Sequence, residues 1–180
     1  MPSERLDRVL DSEYVAGLES LPTSEIRARR GECQTVETDL SFARRLVQGR
    51  LDIIHAEIER RRAGGVRSDA GELVDVLRDG TILSDHARPA GFGRLSPRLA
   101  PSDQVDDFTA EIEEVADADA LATLPDLSDD VVAKLADRLA TLERSFSARR
   151  RQVFDRIDLL QGEIIRRYKT GSANPDELLT

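Results

Sequence analysis

The sequence is poor in the residues that fill a thick core. It has no tryptophan, two tyrosines and five phenylalanines among 180 residues, so aromatics make up only 4% of the chain while charged residues make up 34%. Such a chain suits a narrow seam between long helices better than a many-sided globular interior. The single cysteine, Cys33, excludes a disulfide framework and points to a reducing compartment. Basic charge is short as well. With 26 lysines and arginines against 35 acids, the net charge of −9 argues against general nucleic-acid affinity, which needs basic groups to neutralise phosphates. No stretch approaches the length that spans a bilayer, and MPSERLDRVL lacks the apolar run of a signal peptide. A cytoplasmic protein with neither a membrane nor a direct nucleic-acid partner is expected.

Catalytic equipment is also scarce. The only histidines are His55 and His86, neither lies at metal-ligand spacing with Cys33 or with the other, and no nucleophile and base pair or phosphate-binding glycine loop occurs. Neither an enzyme nor a metal protein is expected.

What the chain does have is a repeat. ETDLSFARRLVQGRLD at residues 37–52 recurs in part as ERSFSARRRQVFDRID at 143–158. At an offset of 106, Glu37 falls on Glu143, Ser41 on Ser147, Arg44 on Arg150, Arg45 on Arg151, Val47 on Val153, Arg50 on Arg156 and Asp52 on Asp158. Glu57, Ile58, Arg60 and Arg61 fall on Glu163, Ile164, Arg166 and Arg167. An offset without gaps means that one structural element was copied whole. Within it, Glu37, Ser41, Arg44, Gln48 and Asp52 are spaced 4, 3, 4 and 4. On a helix these fall within an arc of roughly 80°, a polar stripe about four turns long. Val36, Leu40, Ala43, Val47, Leu51, Ile54 and Ile58 run beside it as an apolar stripe, repeated by Leu142, Phe146, Val153, Ile157, Leu160 and Ile164. The polar steps include a stutter against strict heptads, which predicts little left-handed supercoil.

The fold expected is all-α: a long antiparallel two-helix coiled-coil hairpin built from a duplicated helix, with short accessory helices and a long Gly/Pro-rich connection. Residues 1–22 form an extension with a possible short helix through Leu6, Val9, Leu10, Tyr14 and Leu18, and residues 23–63 form the first long helix. Gly49 inside that helix either admits a ligand or partner close to the backbone or is simply tolerated at the surface. The connection covers residues 64–127, with a short helix at 70–78 and an acidic one within 102–119 whose Phe108, Ile112 and Val115 share a face. That acidic helix is either a solvated element with a docking stripe or a surface for a basic partner. Leu124-Pro125 repeats Leu21-Pro22, the second long helix runs over 128–169, and 170–180 is a frayed tail.

In an antiparallel hairpin, copied seams are expected to set Arg44 opposite Arg150 about an approximate two-fold axis. Guanine offers O6 and N7 acceptors to an arginine fork, and N1 and N2 donors to a carboxylate, so Arg and Asp on one face can read it from two edges. Arg45, Arg50, Arg151 and Arg156 can offset phosphate charge or stack on bases. The competing explanation of the row is ordinary intrahelical ion pairs, such as Glu37 with Arg44, worth a few tenths of a kcal/mol each, and the duplication of Glu, Ser, Arg and Asp balances the two.

The pattern Glu37-x3-Ser41-x2-Arg44-x3-Gln48-x3-Asp52 resembles the signature of the cyclic-di-GMP-binding anti-sigma factors of actinobacteria, the RsiG type. The second copy keeps Glu143, Ser147, Arg150 and Asp158 but has Phe154 where the signature has Gln, a departure that either stacks on a base or extends the seam, the latter slightly favoured. The resemblance covers the two long helices. It implies an antiparallel coiled coil binding a dimer of cyclic di-GMP and, when loaded, sequestering a flagellar-type, WhiG-like sigma factor of sporulation. Arg44, Arg150, Asp52 and Asp158 would then read guanines, and Glu37, Ser41, Gln48, Glu143 and Ser147 would add polar contacts. The acidic helix is a candidate for part of the sigma contact. The alternative is a structural or scaffolding coiled coil without nucleotide; nucleic-acid binding through the Arg runs is disfavoured by the acidic balance.

Overall fold

The computed structural model describes residues 4–64, 102 and 105–171, and among these there is no β-strand. In chain order, α1 spans Glu4–Leu10, α2 Thr23–Arg62, α3 Asp106–Val115, α4 Ala118–Ala122 and α5 Asp129–Lys169. Two 3-10 turns, Ser12–Val15 and Leu18–Ser20, precede α2, and a third, Leu124–Asp126, precedes α5. The expected helix at 70–78, the rest of the Gly/Pro-rich run and the last nine residues of the tail lie outside the described residues.

The helices α2 and α5 are 40 and 41 residues long, each about 60 Å from end to end. They lie antiparallel, as expected. Arg27 near the start of α2 hydrogen-bonds Tyr168 at the end of α5, Arg44 near the middle reaches Glu143, and Arg61 at the end reaches Asp129.

Burial corrects the expected stutter. Ile26, Cys33, Leu40, Val47 and Ile54 are buried on α2, and Val132, Leu139, Phe146, Val153 and Leu160 on α5, every step being seven residues. This is heptad spacing, and Val36, Ala43 and Leu135, each three residues after one of these, add the second core position of the repeat. The polar row misled because it is not the seam: its steps of four walk around the helix and carry Asp52 and Asp158 to exposed positions.

The repeat also reaches further than the helices. The 3-10 turns Leu18–Ser20 and Leu124–Asp126 stand 106 residues apart, as do the helix starts Thr23 and Asp129. Leu124-Pro125 therefore corresponds to Leu18-Glu19, and Leu127-Ser128 to Leu21-Pro22, so the expected match of the two Leu-Pro pairs is corrected by one helical turn. Before them, the carboxylates of Asp11 and Asp117, also 106 apart, each accept a backbone N–H bond that starts a turn.

Each end of the hairpin is closed by the same clamp. At one end the Arg167 guanidinium donates to Glu163 Oε1, to the carbonyls of Leu18, Glu19 and Leu21 and to Thr23 Oγ1. At the other, Arg61 donates to Glu57 Oε1, Asp129 Oδ1 and the Leu124 carbonyl. Fork geometry lets one arginine satisfy several acceptors where an incoming turn leaves carbonyls unpaired. The Arg60 bond, opposed by burial and aided by Arg61, lowers the Glu57 pKa to about 2. Arg166 and Arg167 likewise bring Glu163 to about 2 against burial.

Short helices complete the core. Leu6 and Val9 of α1 and Phe108 and Ile112 of α3 are buried against the long pair. Phe108 meets Phe146 edge-to-face with centroids 5.9 Å apart, an arrangement that adds about 0.5–1.5 kcal/mol beyond burial. Just ahead of α3, buried Asp39 accepts from Ser102 N at 2.7 Å and Ser102 Oγ at 2.6 Å. This anchor fixes where the chain rejoins α2, and its carboxylate stands within two residues of Glu37 and Ser41.

Candidate functional site

The site forms at the middle of the hairpin, where the heptad register sets the outer edges of the two seams against each other. With Leu40 as a core position, Glu37 and Arg44 occupy one flank of the α2 seam; with Phe146 as its equivalent, Glu143 and Arg150 occupy the same flank of α5. Antiparallel helices bring equivalent flanks together. Arg44 Nε donates to Glu143 Oε1 at 2.9 Å, and Arg150 Nε donates to Glu37 Oε1 at 2.7 Å.

Arg44 therefore faces Glu143 and not Arg150, which corrects the expected register. The two arginines sit one heptad apart along the coil because a facing pair of guanidinium groups in a half-buried seam would repel, whereas this register pairs each with a carboxylate. Both pairings share one index sum, and the offset of the copies then puts the pseudo-two-fold axis between Leu40 and Ser41 on α2, and between Phe146 and Ser147 on α5.

The serines flank this axis. Ser41 Oγ donates to Glu37 Oε1 at 2.7 Å, and Ser147 Oγ donates to Glu143 Oε1 at 3.0 Å. Each glutamate thus accepts from a serine on its own helix and an arginine on the other. The side chains of Arg44 and Arg150 are 33% and 35% exposed, the near equality expected of two-fold mates. Each arginine spends only its Nε, so the terminal nitrogens of both forks have no hydrogen-bond partner among the described residues. The symmetry is incomplete in one respect: Arg44 Nε also donates to Ser147 Oγ at 3.1 Å, whereas Arg150 makes no bond to Ser41.

Six of the nine expected site residues, Glu37, Ser41, Arg44, Glu143, Ser147 and Arg150, are thus brought into one cluster. Gln48 is half-buried one turn beyond Arg44 without a hydrogen bond among the described residues. Asp52 and Asp158 do not join the cluster. They are exposed, and the helical rise puts each roughly 17 Å along the coil from the axis, in opposite directions. Each stands about 12 Å along its helix from its own arginine, so the expected convergence of Arg and Asp on one guanine edge is not formed by the protein alone.

Phe154 is corrected too. It does not extend the seam, which Val153 fills at this level; its ring is 37% exposed and lies beneath the Arg150 guanidinium, Cζ 4.7 Å from the centroid. A Cβ added at Gly49 would meet nothing within 4 Å, so the backbone there borders open space. Of the additional arginines, Arg45 and Arg151 are exposed, Arg50 pairs with Glu113, and Arg156 donates to the Leu10 carbonyl at 2.8 Å.

The acidic segment is partly neutralised from within. Arg149 holds both oxygens of Glu111 at 2.8 and 3.0 Å, and Arg50 holds Glu113, while Asp107, Glu114 and Asp119 are exposed. The ion pairs of Arg149 and Arg50 and the anchor of Asp39 on Ser102 had no sequence signature, because each joins residues far apart in the chain. The end clamps had one, the conserved offset of Glu57-Arg60-Arg61 and Glu163-Arg166-Arg167. Among the described residues there is no cluster of histidine, cysteine and acidic side chains that could hold a metal ion, and no helix is long and apolar enough to cross a membrane.

A family model described as RsiG-like matches residues 12–79 and 118–180. The two matched segments begin 106 residues apart, the offset of the repeat. No curated protein matches the chain.

Proposed function

Because the chain belongs to the RsiG-like family, an anti-sigma factor family and not an enzyme family, we propose that it is a cytoplasmic anti-sigma factor gated by cyclic di-GMP, which it binds as a dimer on the mid-hairpin site. One observation carries the nucleotide part of this reading. Two arginines related by a pseudo-two-fold axis are anchored through Nε alone, which leaves their four terminal nitrogens without a hydrogen-bond partner among the described residues. A fork so held matches the O6 and N7 acceptors of guanine or the oxygens of a phosphate, and a two-fold arrangement suits a ligand that is itself two-fold. Glu37, Ser41, Glu143 and Ser147 orient the forks, and Gln48 adds an amide beside one of them. Asp52 and Asp158 reach the ligand only at its outer ends, where a carboxylate accepts from guanine N1 and N2.

The partner in this reading is a flagellar-type, WhiG-like sigma factor of sporulation. Exposed Asp107, Glu114 and Asp119 offer carboxylates to a basic surface. Glu111 is withdrawn from that role by Arg149. If ligand and sigma factor prefer the same hairpin geometry, each tightens the other by the same factor.

Calorimetry with cyclic di-GMP tests the site: the parent binds, and the double variant Arg44→Ala, Arg150→Ala loses at least a hundredfold in affinity. Sigma capture from solution should rise with nucleotide and lose that dependence in the double variant. An unaltered isotherm removes the assigned site. The cross-helix ion pairs would serve a purely structural coiled coil equally well; that second reading predicts no heat with the nucleotide at all.

A further inference from the structure

We propose that Phe154 is a positioning residue that holds the Arg150 fork in the plane needed to receive the nucleotide, so that the two halves of the site reach the same end by different means. This inference rests on the nucleotide reading above and concerns the one position of the five-residue polar row at which the copies differ, Gln48 against Phe154.

The single Nε–H of Arg44 is shared between two acceptors on the facing helix, Glu143 Oε1 and Ser147 Oγ. Among the described residues Arg150 has only the bond to Glu37, since Ser41 gives its hydrogen to Glu37 and makes no bond to Arg150. A guanidinium whose one anchored N–H has a single acceptor is less restrained than one whose N–H lies between two. Beneath it lies the Phe154 ring, Cζ 4.7 Å from the centroid, well inside the range of a cation–π contact. Residues four apart on a helix lie one above the other, so the ring belongs to the same row as Ser147, Arg150 and Asp158. Stacking on an aromatic face leaves the in-plane donors of arginine free. The ring thus takes over the restraint that Ser147 supplies to Arg44, without consuming either terminal nitrogen.

The exposure of the ring agrees with this role. In a chain with 4% aromatics, an apolar ring 37% exposed in the middle of a polar row is not there for the seam, where Val153 is already fully buried. Nothing else among the described residues makes a ring contact with it.

The experiment is calorimetric titration of the full chain with cyclic di-GMP across five proteins: parent, Phe154→Leu, Phe154→Tyr, Arg150→Ala and Phe154→Leu with Arg150→Ala. Urea midpoints for the same five monitor folding. The exposed position predicts that Phe154→Leu folds as the parent does. Its affinity should fall roughly fivefold to tenfold, the loss of a partly exposed cation–π restraint on a binding group. Phe154→Tyr keeps the ring and should bind within about twofold of the parent. In the Arg150→Ala background, Phe154→Leu should cause no further loss, because the ring acts through the arginine.

Equal binding by parent and Phe154→Leu overturns the inference while leaving the nucleotide reading intact. A full loss from Phe154→Leu in the Arg150→Ala background also overturns it, since the ring would then stack on the nucleotide directly. Absence of binding by the parent overturns the inference together with the reading on which it rests.

Discussion

Reversing the charges of one cross-helix pair tests the register on which the site depends. In Glu37→Arg, the group that now accepts from Arg150 Nε at 2.7 Å is replaced by a second guanidinium. Two like charges about 4 Å apart repel by roughly 1–4 kcal/mol at effective dielectric constants between bulk water and a protein surface. The side chains are 35% and 19% exposed, which favours the lower half of that range. Loss of the existing pair adds under about 1 kcal/mol. The single reversal should therefore cost about 1–3 kcal/mol. Arg150→Glu, which sets two carboxylates face to face, should cost a similar amount. Combining the two rebuilds the pair in the opposite sense, and stability should return to within about 0.5 kcal/mol of the parent. Urea unfolding followed by far-ultraviolet circular dichroism measures all four proteins, and the penalties of the singles should shrink with added salt. If the double reversal is as unstable as the sum of the singles, the two side chains do not face each other. A register with Arg44 opposite Arg150 makes the contrary forecast that Arg44→Glu alone stabilises the protein. The rescued double variant should still fail to bind cyclic di-GMP, because it folds but carries no fork at position 150.

Four further outcomes follow from the packing. Replacing Arg167, 7% exposed and bonded to three backbone carbonyls, Thr23 and Glu163, by leucine should cost about 2–4 kcal/mol in urea unfolding, since it strands the three carbonyls while Arg166 still holds Glu163. Arg61→Leu, whose partner Asp129 is largely exposed, should cost about half as much. Glu57 and Glu163 have folded pKa values lowered to about 2 by Arg60 and Arg166 respectively. Their stabilisation is complete above the unfolded value near ~4.3 and is lost as pH falls toward 2, so the Glu57→Gln, Glu163→Gln variant should show a flatter stability profile in that window. Cys33 is buried in the seam and its thiol is pushed up to about 11, burial being the largest cause and Glu32 adding to it; a thiol reagent at pH 8 should modify it at the rate of unfolding, and fast labelling of the native protein would place it elsewhere.

Several features were legible from residues alone. Hydrophobic period and helix stops mark the two long helices to within about two residues of their ends, and the repeat at a fixed offset shows that they are alike. The docking stripe of the acidic helix was legible for the same reason, since Phe108 and Ile112 share a helical face and both are buried. The period of the seam was misjudged because the polar row, being rich in identities, drew more weight than the apolar residues that set it. Phe154 was misplaced although Val153 already stood in the apolar stripe, because an aromatic beside a seam residue reads as core until its ring is seen beneath the Arg150 guanidinium.

By itself the sequence determined two copied amphipathic helices, since periodicity and duplication are local properties carried by each segment alone. Only the tertiary structure decided their register. A heptad seam can slide by seven residues and still match apolar against apolar, so burial cannot choose between Arg44 facing Arg150 and Arg44 facing Glu143; the charges on the flanks choose, and they act only once the two helices are side by side.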